Sequence, residues 1–124
     1  MNGDVLVKAT VWVLSLVLAL VFISLGVGKL AGFDAQVSRY QSWGMSAWDI
    51  SALGALEFAG GVGLLIPRVA LVGALLLSLE MAVLAMVHFS FEEPQFVTRA
   101  LVLMFMLLGI SYLRVTRMTL NGQN

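Results

Sequence analysis

Five ionisable side chains stand inside or at the edges of strongly apolar sequence: Glu57, Glu80, Lys29, His88 and Arg99. Glu57 sits in GALEFAGGVG and Glu80 in LLSLEMAVLA, each in the middle of its apolar run. An acidic side chain at a bilayer-embedded helix centre costs roughly 2.5–3.5 kcal/mol on insertion scales, so it normally turns inward and carries a role. Lys29 and His88 close two apolar runs, and Arg99 opens another. Carboxyl, amine and imidazole groups exchange protons. Acids buried deep, with cations nearer one face, form a polar track that moves protons or holds a polar headgroup such as that of a quinone. The opposing reading is structural. Cations at segment ends also snorkel to the interface, and a single histidine there is often only hydrogen-bonded. Metal chemistry is not indicated, because the chain has one His and no Cys. No hydrolase triad or phosphate loop occurs, and no cofactor motif is evident beyond the quinone or lipid that the polar track admits.

The elements that would position these groups follow from composition. In 124 residues, 60% are hydrophobic and 11% charged, with formal net charge 0; mean hydropathy is +0.99. Soluble domains carry roughly a quarter charged residues, so this chain lacks the polar surface that water requires. Zero net charge gives no basic field for nucleic acid. Without cysteine there is no disulfide and no thiolate relay.

Apolar segments at about residues 9–30, 50–66, 69–90 and 96–113 are each long enough, or nearly so, to cross a bilayer as a helix. The backbone must satisfy itself in hydrocarbon, so these read as helices. The expected fold is all-α: a single transmembrane domain over 1–124, an antiparallel up-down four-helix bundle. The first segment reads as a retained helix, since no small-residue cleavage site follows it cleanly. The link before residue 50 carries Tyr40, Trp43 and Trp48 among charges. Such rings favour the headgroup layer, so an interfacial segment is expected between the first two spans.

Pro67-Arg68 forces a tight hairpin between the second and third segments. Glu57 precedes Pro67 by ten residues and Glu80 follows Arg68 by twelve, so both lie roughly 15–18 Å from the turn, at similar depth. Small residues recur every four positions at Ser51, Ala55, Ala59 and Gly63, and at Ala70, Ala74, Ser78 and Ala82. These stripes predict close contact between the two helices. Both acids are out of phase with them and would converge on a cavity shared with the outer helices. Lys8, Arg68, Arg114 and Arg117 lie on the side of the termini, against Lys29, Arg39 and Arg99 opposite, which favours cytoplasmic termini.

GVGKLAG at the end of the first segment, GALEFAGGVGLLIPR at 54–68 and EMAVLAMVHF near the end of the third together resemble the DoxX family of small four-helix membrane proteins. The resemblance covers about residues 12–110. It maps Lys29, Glu57 and His88 onto family positions and leaves Glu80 outside the pattern. It implies an inner-membrane subunit linked to a redox complex, including quinone-coupled sulfur oxidation and oxidative-stress assemblies; other relatives act in assembly or trafficking. Three readings follow: an accessory or scaffold subunit with protein partners in the bilayer, not an enzyme on its own; a proton-handling component of a quinone-linked oxidoreductase; or a small transporter, which at this size would have to form a homo-oligomer.

Overall fold

The computed structural model describes residues 3–122, and these are almost entirely helical with no strand. Five helices follow in order: α1 Gly3–Ala31, α2 Asp34–Ser42, α3 Ala47–Leu64, α4 Ala70–Ser90 and α5 Pro94–Gly122. Three of them, α1, α4 and α5, are long and apolar enough to cross a membrane. The 18-residue α3 is shorter and packs most extensively on α1, with α4 on another side. The protein is a helical integral membrane bundle, with the short α2 as the segment expected between the first two long helices.

Three helix ends are set by one device. Gly32 (φ +77°), Gly44 (φ +89°) and Glu92 (φ 58°) adopt the left-handed conformation just past α1, α2 and α4. In each case the next amide donates back five residues: Phe33 to the Gly28 carbonyl at 2.9 Å, Met45 to Tyr40 at 3.2 Å, and Glu93 to His88 at 3.0 Å. This closes carbonyls that would otherwise be left without donors. Helix α3 opens on a capping box, in which the Asp49 amide donates to Ser46 Oγ and the Ser46 amide donates to the Asp49 carboxylate, both at 3.1 Å.

The tight contacts rest on glycine. A Cβ on Gly26 of α1 would lie 2.6 Å from both the Gly54 carbonyl oxygen and the Phe58 nitrogen of α3. A Cβ on Gly54 would meet the Lys29 Cβ at 2.8 Å. On its other side α3 meets α4 through Gly60, where a Cβ would lie 2.8 Å from Leu77 Cγ. The expected small-residue stripe is corrected here on α3. Ala55 and Ala59 are exposed and Ser51 is half-buried, leaving only Gly63 buried. The α3 face that turns inward is instead Gly54, Glu57, Gly60, Gly61 and Leu64. On α4, Ala70, Ala74 and Ser78 are buried and Ala82 half-buried.

Helix α5 continues nine residues past the expected end at 113. There Arg114 Nη2 donates to the buried Ser15 Oγ of α1 at 3.0 Å, and Arg117 lies 3.7 Å from Asp4. These contacts tie the two longest helices together at the end of the bundle opposite the site described next.

Candidate functional site

The close α1–α3 approach determines the site. Gly54 lets the Lys29 stem run against α3, and Glu57 stands three residues further along the same inward face. Lys29 Nζ lies 2.6 Å from Glu57 Oε1, with side-chain exposures of 2% and 1%. Lys29 therefore does not snorkel. As the basic residue of the last turn of α1, it also meets the negative end of that helix. Its ammonium sits 4.9 Å from the Tyr40 ring centroid. Burial, helped by the nearby Glu57, pushes the Tyr40 phenol above its usual 10.0, although Lys29 pulls the other way. Tyr40 is thus a stable O–H donor.

Glu80 comes in from α4 close enough to Glu57 for the two carboxyls to interact. It is buried, and no donor among the described residues is aligned on either of its oxygens. The two acids that the hairpin arithmetic put at one depth are neighbours.

His88 is buried one layer nearer the α2 end. Its Nδ1 lies 3.2 Å from Glu93 Oε1. The ring is held edge-on by Trp43 at 4.8 Å and stacked on Phe96 at 5.2 Å. As the sequence distance implied, it makes no bond to Glu80. Arg99 reaches the same layer over Phe96, at 5.1 Å from the ring centroid, and Arg39 of α2 lies over that ring at 3.6 Å. The sequence reading passed over Arg39, Tyr40, Trp43 and Glu93 as site residues. The mixture of aromatic rings and charges between the first two spans was the signal for the first three.

Two cavities meet at the acid pair. A polar cavity of about 40 Å³ is lined by Lys29, Tyr40, Glu57, His88, Arg39 and Arg99. That is room for a water or two. A lateral groove of about 650 Å³ opens between α3 and α4, walled by Trp43, Met45, Leu53, Leu56, Val87 and Phe91; its carboxyls are Glu80 and, at the α2 end, Asp49, which is engaged in the α3 capping box. The helices touch near their hairpin, where a Cβ on Gly73 would lie 3.1 Å from the Gly60 carbonyl oxygen, and the groove lies between them toward the α2 end. Glu57 thus belongs to the polar cavity and Glu80 to the apolar groove, with the two side chains adjacent. Among the described residues no group of His and acidic side chains could hold a metal ion.

A buried lysine–diacid cluster inside a bundle with three helices able to cross a bilayer defines a small polytopic membrane protein with an interior polar site. The DoxX-like family profile matches residues 13–110. The chain belongs to that family. Comparison with curated proteins and with solved structures gives no match.

Proposed function

We propose that the chain is an accessory subunit of a quinone-linked redox assembly in the inner membrane, with cytoplasmic termini, and that it handles protons for a quinone headgroup held in the α3–α4 groove. One observation carries this reading. Glu80 offers a buried carboxyl without an aligned partner to an apolar groove open to lipid, while touching Glu57, which faces a polar cavity. Two carboxyl groups in such contact need one proton between them, with one acting as donor and the other as acceptor. Lys29 is committed to Glu57, which leaves Glu80 as the carboxyl that offers its O–H to the groove. A quinone carbonyl entering the groove accepts that hydrogen bond, and Glu57 relays a replacement proton from the polar cavity. Reduction to the quinol takes two protons and two electrons. The groups gathered here exchange protons, so an associated redox subunit supplies the electrons.

The test is binding of a short-chain quinone to the protein in lipid nanodiscs, followed by tryptophan quenching, since Trp43 lines the groove. Saturable quenching is expected, weakened at least tenfold by Glu80→Leu and by Leu56→Trp, which fills the groove. Quenching that only matches partition into empty nanodiscs sinks the quinone assignment. Recovery of a lone monomer from mild detergent under conditions that preserve membrane complexes sinks the subunit assignment.

A further inference from the structure

Arg99 lines a second groove, distinct from the quinone groove. This groove of about 580 Å³ lies on the outer face between α1 and α5 and is walled by Leu20, Val21, Ser24, Leu25 and Leu103, with Arg99 at its polar end. Arg39 lies close by, because both guanidinium groups gather over one Phe96 ring. Their carbons are no farther apart than the sum of their distances to its centroid. Neither arginine takes part in an ion pair among the described residues; the nearby Glu93 is engaged by His88. The furrow therefore has the Arg99 guanidinium at its head, with that of Arg39, which lines the neighbouring polar cavity, no farther than 3.6 Å plus 5.1 Å from it. The α1 part of the furrow, from Leu25 to Leu20, runs about 7 Å along the helix axis.

We propose that this furrow holds one anionic phospholipid. Its phosphodiester sits on Arg99 and Arg39, and one acyl chain lies along Leu20, Val21, Leu25 and Leu103. Guanidinium forks match phosphate oxygens in geometry as well as charge. Both guanidinium groups lie against Phe96. Ser24 supplies a hydroxyl at the level of the glycerol esters. Charge complementarity selects the lipid. A phosphatidylglycerol-type headgroup carries one uncompensated negative charge, whereas a choline headgroup would bring its own cation against two arginines.

The experiment is native mass spectrometry of the intact protein released from nanodiscs containing equal phosphatidylglycerol and phosphatidylcholine. Inorganic phosphate is the free-anion competitor. Expected is one retained phosphatidylglycerol, favoured at least tenfold over phosphatidylcholine and not displaced by millimolar phosphate. Arg99→Gln and Arg39→Gln should each lower the retained fraction severalfold, and Arg68→Gln, a cation at the far hairpin, should not. Equal retention of the two lipids, an unchanged fraction in Arg99→Gln, or full displacement by phosphate alone would overturn the proposal. Leu103→Trp, which blocks the furrow without touching charge, separates a lipid from a headgroup-only site: it must reduce retention in a folded protein. Quinone binding is read separately, by Trp43 quenching in the groove between α3 and α4, so failure of one reading is distinguishable from failure of the other.

Discussion

Replacing Lys29 should cost far more than replacing Glu57, although the two form one ion pair. At 2.6 Å and an effective dielectric near 20, the attraction between unit charges is about 6 kcal/mol. Burying the two ions costs several kcal/mol each, so the pair itself adds little net stability. Removing one partner exposes that burial cost. Lys29→Met leaves Glu57 and Glu80 side by side with no cation, and the expected loss is about 3–5 kcal/mol. Glu57→Gln leaves Lys29 beside Glu80, which gives up its proton and takes the ammonium; the expected loss is roughly 1–2 kcal/mol. In a Glu80→Gln background that rescue is gone, and Glu57→Gln should then cost as much as Lys29→Met. Lys29→Met with Glu57→Leu should return to within about 1 kcal/mol of wild type. The assay is reversible unfolding in mixed micelles by denaturing-detergent titration, read by circular dichroism. Equal losses for the two single variants, or a Glu57→Gln effect indifferent to Glu80, would refute the spare-acid argument.

Three further outcomes follow from the same geometry. Glu92→Gly should stabilise the protein by about 1 kcal/mol, because a non-glycine residue is held at φ 58° past α4; detergent titration with no gain would deny the strain. Gly26→Ala should cost about 3 kcal/mol and release Lys29 from Glu57, since its Cβ meets α3 backbone, whereas Gly109→Ala, with nothing within 4 Å, should gain roughly 0.5–1 kcal/mol; thermal unfolding of the two in parallel checks the contrast. The Tyr40 phenol stays protonated in the folded state above its usual 10.0, so stability is full below about pH 10 and falls as pH climbs toward the raised value. Tyr40→Phe should remove that fall and the late step in phenolate absorbance.

Much of the site was legible because depth in a bilayer follows from counting residues. The distances of Glu57 and Glu80 from Pro67-Arg68 put them level, and the hairpin brought them together. The packing face of α3 was not legible from small-residue spacing. Lipid is as apolar as alanine, so Ala55 and Ala59 face outward without penalty and a periodic stripe carries no sidedness. The absence of any Cβ decided the face: Gly26 and Gly54 permit backbone approaches that an alanine would block. Glu93 escaped because five residues is the wrong helical spacing from His88. Only the left-handed turn at Glu92 folds it back. The polar stretch after residue 113 resembled a helix end until Ser15 of α1 supplied a partner for Arg114.

The cluster holds one amine and two carboxyls, and the surplus acid is what separates it from a structural ion pair. A pair alone satisfies itself, and in lipid a well-packed apolar substitute would serve as well. Adding Glu80 creates a group that Lys29 cannot neutralise while it is committed to Glu57. That group can be accommodated only by carrying a proton or by finding a new partner. The groove between α3 and α4 places that requirement at a wall open to the membrane. If the arrangement were structural only, Glu80→Leu should leave a protein at least as stable as wild type and as competent in its assembly. Gained stability with lost quinone binding is the signature that the proposed role demands, because function then explains why a costly acid stays where leucine would pack better.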